Sequence, residues 1–584
     1  MNDLKRLFGY MGPYRRDMAL GMLLVVVESA FEMVIPILMS DIIDQGVAHG
    51  DVREIGWTGV EMAVCAVLAL ITGLLYARYA ARASYGFGAR IRQAEYAKVQ
   101  AYAFGNLDHF ETSSLITRMT TDVTVVQNAI NGGFRPMVRG PAMLVLGVAL
   151  SFYMSPSLAA VFFVCAPVLG VILFFIVRRI APLYARLQQA MDHLNTVVQE
   201  CLTAIRAVKA FVRGEYEEEK FQAVNTELMD VSMTTFRTAV LNLPAFQLTM
   251  YAAMVSILWF GGNMILQGSL TVGRLTSFLS YVLQVMNSLM MISNVFLLMT
   301  RSLASAHRIA AVLDEQVELE SPAHPVTEIP DGGVVFEHVS FKYHPDAAEY
   351  ALAGIDLVIQ PGETVGILGG TGSAKSTLVQ LIPRLYDATE GRVLVGGRDV
   401  REYDLTALRD AVGIVLQKNV LFSGTVRENL LWGNPGASDE ELWAACRAAC
   451  ADEFLQRMPG GLDADLGQGG VNVSGGQKQR LCIARTLLKK PRVLIFDDSV
   501  SAVDTATEAR IRKALAALTG VTKIIIAQRV TSVMNTDKIV VLEDGRIHAV
   551  GTHSQLLASD PIYQEIYHSQ MKGGGADGST ADHR

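Results

Sequence analysis

Six apolar runs, all before residue 305, constrain this chain more than any other feature. They occupy 18–40, 55–79, 137–154, 158–177, 239–266 and 275–298. A hydrocarbon core of ~30 Å needs about 20 apolar residues in a helix, and each run is close to that length. Lipid offers no partner to a free backbone group, so runs of this kind must be helices. Pro36, Pro167 and Pro244 fall inside three of them and predict kinks that packed neighbours can tolerate. The chain has 584 residues, too many for one core. Hydrophobic residues make up 51% and charged residues 18%, which fits a membrane part joined to a water-soluble part.

The charges between the runs predict an orientation. Lys5, Arg6, Arg15 and Arg16 precede the first run. Arg78, Arg82, Arg90, Arg92 and Lys98 follow the second, and Arg178, Arg179 and Arg186 follow the fourth. The opposite loops, 41–54 and 267–272, are short and poor in basic residues. The positive-inside rule then places both termini in the cytoplasm of a multi-pass membrane protein. No small-residue cleavage site follows a short apolar core, so the first run reads as a retained span. A net charge of −7 argues against nucleic acid as a partner. Cys65, Cys165, Cys201, Cys446, Cys450 and Cys482 show no CxxC spacing and read as buried thiols rather than disulfides or metal ligands.

The connections between runs two and three, and between runs four and five, are long, and both carry helical apolar spacing, at 89–104 and 191–211. The spacing predicts membrane helices that extend far into the cytoplasm. Turns are expected near 110–118 and 211–217, either pressing on another domain or serving only as loops.

Past residue 314 the pattern changes. Residues 316–333, with Pro, Glu and Gly and little periodicity, read as a linker. Short β-rich runs then alternate with helical ones, the pattern of a parallel sheet with flanking helices. The run ETVGILG feeds Gly369-Gly370-Thr371-Gly372-Ser373-Ala374-Lys375-Ser376-Thr377. Small residues there let backbone N–H groups close around phosphate oxygens at a helix start. Lys375 is placed to bind β- and γ-phosphates and Ser376 to bind Mg²⁺. Ala374 stands where a glycine is usual, and its methyl is tolerable if φ is negative. Later, RVLIFDD ends a buried strand in Asp497-Asp498, and a carboxylate there can hold Mg²⁺ through water.

Between these motifs, Ser474-Gly475-Gly476-Gln477 opens the helical run QKQRLCIARTLL. It resembles the signature of ATP-binding-cassette (ABC) proteins. The order of Tyr343, the phosphate loop, Gln417, that signature, Asp497, Ser501-Ala502-Val503-Asp504 and Gln528 resembles the cassette throughout. The likeness to half-size ABC exporters covers residues 1–570. It implies an all-α six-helix transmembrane domain with long cytoplasmic helical extensions, fused to an α/β P-loop ATP-binding cassette domain. The expected boundaries are 1–315 for the membrane domain, 316–333 for the linker, 334–571 for the cassette and 572–584 for a disordered tail.

The resemblance also implies roles. Tyr343 would stack on adenine, Gln417 would sense Mg²⁺, and residues 369–377 and Asp504 would take part in binding ATP. Ser474, Gly475, Gly476 and Gln477 would face the ATP of a partner cassette, since two cassettes sandwich two nucleotides. The turns near 110–118 and 211–217 match coupling helices.

Two departures stand out. The family's hydrolytic glutamate after the Mg²⁺ aspartate is Asp498 here, and its switch histidine is Gln528. Aspartate is roughly 1.5 Å shorter, and a ~1 Å misplacement can cost ~10²-fold in rate. With Ala374, these residues resemble the weakened site of bacterial heterodimeric exporters, whose intact signature serves a competent partner chain. The implied activity is ATP-driven export of amphipathic drugs, lipids or peptides across a bacterial cell membrane. A homodimeric exporter and a nucleotide-gated, channel-like protein are the alternatives.

Glu28 and Glu32 share a face of the first run. They would either attract cations in a cavity or join an interhelical polar network. Met286, Met290, Met291, Phe296 and Met299 enrich the last run, either as packing or as an adaptable lining. Asp544-Gly545 reads as a hairpin turn, and His548 and His553 as structural or solvated.

Overall fold

The structure, a computed structural model, describes residues 2–498 and 505–573. It divides into two compact units. The first comprises Met1–Gln100 and Thr112–Glu315, and the second Ala101–Glu111 and Gln316–Arg584. The 501–504 motif and the polar tail from 574 lie outside the described residues.

In the first unit each apolar run sits in a long helix. Six of these are long and apolar enough to cross a membrane. The second, Val52–Ala101, has 50 residues, ~75 Å at 1.5 Å per residue, over twice the ~30 Å of a hydrocarbon core. Its apolar half exposes Val60, Val64, Val67, Leu70 and Leu74. That surface suits lipid rather than water.

Small residues let the helices approach. Gly133, Gly140 and Gly147, seven apart, are buried on the helix Val123–Met154. A Cβ on Gly147 would stand 2.7 Å from Val285 of the helix Val272–Asp314. Polar ties add to this packing, as when Tyr281 donates to the Met33 carbonyl at 2.7 Å and Ser277 to that of Pro36.

Three expectations shift. Pro36 and Pro167 lie within continuous helices. Pro244 instead falls in the first turn of Asn242–Leu266, after a break at Val240–Leu241. A missing N–H costs nothing there, because first-turn N–H groups have no intrahelical partner. The first of the two expected turns is centred on the short helix Phe104–Asp108, upstream of 110–118, because Thr112–Thr117 already begins the next helix. The second lies at the short helix Ile205–Ala210 and the residues up to Arg213, and helix Gly214–Ala239 occupies most of 211–217.

The second unit carries two sheets. The strands are β1 (Val334–Phe341), β2 (Leu352–Ile359), β3 (Thr364–Leu368), β4 (Glu390–Val395) and β5 (Arg398–Asp399), then β6 (Val412–Val415), β7 (Val493–Asp497), β8 (Thr522–Ala527), β9 (Lys538–Glu543) and β10 (Arg546–Gly551). One sheet has the order β2-β1-β4-β5 and is antiparallel. The other has the order β10-β9-β3-β8-β7-β6, parallel except for the β9–β10 hairpin. Every residue of β7 and β8 is buried, as expected of strands covered on both faces. Asp544 and Gly545 turn the hairpin with φ of 43° and 72°, the left-handed pair of a type I′ turn.

Residues 101–111 pack with this unit. Asn106, fully buried, donates to Gln316 O at 2.7 Å and accepts from Glu318 N at 3.1 Å. Tyr386 donates to Asp108 at 2.8 Å while its ring lies 6.0 Å from that of Phe104. His548 pairs with Asp560 at 2.9 Å and His553 with the Tyr563 hydroxyl at 2.7 Å, so both histidines hold the C-terminal helices. The six cysteines are free thiols, but only Cys446, Cys450 and Cys482 are buried as expected; Cys65, Cys165 and Cys201, on the long apolar helices of the first unit, are half-buried.

Candidate functional site

The parallel sheet aims its chemistry at one end. β3 ends at Leu368, residues 369–374 loop over it, and the helix Lys375–Gln380 follows. The Lys375 ammonium is folded into this loop, 3.0 Å from Gly369 O, 2.6 Å from Gly370 O and 3.2 Å from Ser373 Oγ. Burial holds it below the usual lysine range, against the pull of Asp498 and Asp497.

Ala374 corrects one expectation. Its φ is +66° and ψ 24°, left-handed, so the negative φ that would make its methyl harmless is not adopted. The loop must reverse immediately before the helix, and the turn falls on this residue. An L-residue there carries about 1 kcal/mol of strain.

β7 delivers Asp497, 2% exposed, whose Oδ1 accepts from Ser376 Oγ at 2.7 Å. Burial raises this carboxyl above the usual carboxylate range, Ser376 opposes the shift and Asp498 adds to it. Asp498 follows with φ +46°. Its Oδ2 accepts from Gln528 Nε2 at 2.8 Å, just beyond the end of β8. Burial raises Asp498 too, opposed by Gln528, Lys375 and Arg529.

Tyr343 stands two residues past Phe341, the end of β1. Its ring meets Phe341 and Tyr386 edge-on at 4.9 and 5.4 Å, and its hydroxyl pairs with Thr377 Oγ1 at 2.8 Å. Gln417 is exposed just beyond β6. Tyr343, residues 371–377, Gln417, Asp497, Asp498 and Gln528 line one cavity of about 680 Å³. Gly369 and Gly370 are not among its lining residues, and their carbonyls instead accept from Lys375. Ser474 caps the helix Gly475–Leu488 in a reciprocal pairing with Gln477, at 3.4 and 2.9 Å, and lies outside this cavity. Asp504 lies outside the described residues.

Among the contributors that escaped the sequence reading, Tyr350 and Gln570 stand out. Tyr350 lines the cavity, with no motif around it. Gln570, on the helix Pro561–Gly573, brackets the loop after β8: its Nε2 donates to Gln528 O and its Oε1 accepts from Val530 N, both at 2.8 Å. No local pattern announces an amide that pairs with a distant backbone.

A second cavity, about 880 Å³, opens in the first unit. Met290 and Met291 line it, whereas Met286 is fully buried packing, and the side chains of Phe296 and Met299 lie outside the described residues. Glu28 and Glu32 belong to an interhelical network: Arg135 pairs with Glu28, and Arg139 reaches Glu28 at 3.2 Å and Glu32 at 2.5 Å. Both arginines were missed because span reading looks for apolar residues.

A membrane-capable six-helix unit and a P-loop unit on one chain define an ATP-coupled membrane transporter. The family model of the ABC transporter transmembrane region matches residues 18–289, and the ABC transporter model, which covers the ATP-binding cassette, matches 352–501. The chain belongs to the ABC transporter family and has the fold of its type IV exporters.

An uncharacterized ABC transporter ATP-binding protein of Bacillus subtilis, YfiB, is 37% identical over 99% of this chain and 100% of its own length. An ATP-dependent lipid A-core flippase of Chromobacterium violaceum is 34% identical over 98% of both chains. The solved structure of a bacterial Atm1-family ABC exporter with ATP bound superposes with a TM-score of 0.80 at 25% identity, covering 96% of this chain and 98% of that one.

Proposed function

We infer that this chain is one half of a heterodimeric exporter of amphipathic solutes, and that its own nucleotide site binds ATP but turns it over slowly. The observation that carries this reading is the 2.8 Å bond from the Gln528 amide to Asp498. A carboxylate that is one methylene short and already accepts from an amide is poorly placed to take a proton from an attacking water. Gln528 has no ring nitrogen to titrate and offers only amide donors to a phosphate.

Binding is expected to persist. Lys375 would turn from the loop carbonyls to the β- and γ-phosphates, Tyr343 would meet the adenine, and Gln417 would approach the metal. Ser376 Oγ and Asp497 Oδ1, 2.7 Å apart, are the hard oxygen donors that suit Mg²⁺. Mg²⁺ bound with ATP would offset phosphate charge. Ser474, Gly475, Gly476 and Gln477 retain a capped helix start able to face a γ-phosphate held by a partner cassette, and Asp504 would complete that interface.

The methionines of the membrane cavity support an amphipathic substrate, since thioethers adapt to varied apolar shapes. The lipid A-core flippases among the relatives point toward lipid-like solutes. The base-rich inner connections favour cytoplasmic termini. Within the chain, the reading keeps a membrane domain at 1–315, a linker at 316–333 and a cassette at 334–571.

Co-expression with the ABC half-transporter encoded beside this one, in proteoliposomes, tests the arrangement. Mutating the partner's catalytic glutamate to glutamine should abolish ATPase activity, whereas Asp498→Asn here should leave most of it. Equal losses from the two changes would reject the inference.

A further inference from the structure

The cavity of the membrane unit carries a charge rule. Glu28 and Glu32 stand one turn apart on the helix Arg15–Asp41, and Arg135 and Arg139 one turn apart on Val123–Met154. They interlock, Arg135 with Glu28 and Arg139 with both acids. Two carboxylates against two guanidiniums leave no net charge. Of the four, only Glu32 and Arg139 reach the cavity wall.

Ser280, Gln284, Asn287 and Ser288 line the same cavity from one face of the helix Val272–Asp314, at spacings of four, seven and eight. This stripe is polar and uncharged. Its Gln284 Oε1 is buried without a hydrogen-bond partner among the described residues, an acceptor held ready for a donor. Met39, Met62, Met143 and Met290 supply much of the apolar lining.

An ionic head entering here meets charges that are already paired. It must leave its own charge uncompensated at membrane depth or pull Arg139 from Glu32, and either is costly. A head without net charge that bears N–H or O–H donors meets neither cost and satisfies the amide stripe. We propose that this cavity selects amphiphiles whose head group carries no net charge and at least one hydrogen-bond donor, with the Glu32–Arg139 pair as the specificity-determining element. The proposal rests on the exporter reading, which makes this cavity a substrate chamber.

Photoaffinity labelling of the full chain in lipid nanodiscs tests it without needing ATP hydrolysis. Four probes share a dodecyl tail with a terminal diazirine and differ in head: maltoside, phosphoethanolamine, sulfate and trimethylammonium. The labelling of a peptide spanning 284–291 is read against that of the helix Asn242–Leu266, whose exposed Leu248, Val255 and Trp259 report lipid contact and folding. The maltoside and phosphoethanolamine probes should label 284–291 in preference to the two ionic ones. Glu32→Gln should raise labelling by the sulfate probe about tenfold, Arg139→Gln should do so for the trimethylammonium probe, and Gln284→Leu should weaken the two preferred probes by a similar factor.

Ionic probes that label the wild type as strongly as maltoside, or an unchanged ranking in Glu32→Gln, would overturn the charge rule alone. Labelling by no probe above the level of the lipid-facing helix would remove the chamber assignment and the rule with it. The heterodimer reading stands apart from every one of these outcomes.

Discussion

Gln528 Nε2 and Asp498 Oδ2 are bonded at 2.8 Å, which joins the two positions where this chain departs from the glutamate and histidine that its family uses for hydrolysis. The pair acts as a unit, so changing one member alone leaves the other mismatched. The double change Asp498→Glu with Gln528→His should raise the ATPase rate of the purified chain by about 10²-fold, the scale of correcting a ~1 Å misplacement. Each single change should give far less, as steady-state phosphate release will report.

Ala374 is strained where its loop turns left-handed. Ala374→Gly relieves that strain but adds freedom to the unfolded chain, which offsets part of the gain. A net stabilisation of up to about 1 kcal/mol is expected, with tighter ATP binding. Thermal unfolding and equilibrium nucleotide binding measure both, and a fall in melting temperature would count against the account.

Tyr386 ties residues 101–111 to the cassette through Asp108. Tyr386→Phe keeps the ring against Phe104, Phe341 and Tyr343 and removes one hydrogen bond, worth about 1 kcal/mol. Amide hydrogen exchange in 101–111 should accelerate roughly fivefold while exchange in β3 and β8 stays unchanged.

Gln570 fixes the loop that carries Gln528 by pairing with the backbone on both sides of Arg529. Gln570→Leu should lower affinity for ATP about tenfold and leave that for ADP nearly unchanged, because only ATP has the phosphate that Gln528 would contact. Gln570→Glu, which keeps the acceptor for Val530 N and loses the donor to Gln528 O, should fall between. Titration with both nucleotides separates this effect from a general loss of folding.

What could be read from residue order was whatever depends on neighbours in the chain. Twenty apolar residues in a row announce a span whatever surrounds them, and the glycine-rich loop before Lys375 works through its own backbone. Contacts between distant elements were hidden. Arg135 and Arg139 sit in a helix whose apolar run begins at 137, and contacts with distant elements, chiefly the opposing Glu28 and Glu32, explain how guanidiniums are accommodated there. The first turn was misplaced because 101–111 is held by Asn106 reaching Gln316 and Glu318, some 210 positions away. The left-handed φ of Ala374 is set by the strand and helix it joins, not by its own preference.

Single-turnover hydrolysis of γ-labelled ATP by the purified chain alone, reconstituted in nanodiscs, bears most directly on the proposal of a slow nucleotide site. The account predicts stoichiometric ATP binding with very slow phosphate release, and the same slow rate after Asp498→Asn. Rapid release by the wild-type chain that Asp498→Asn abolishes would contradict it.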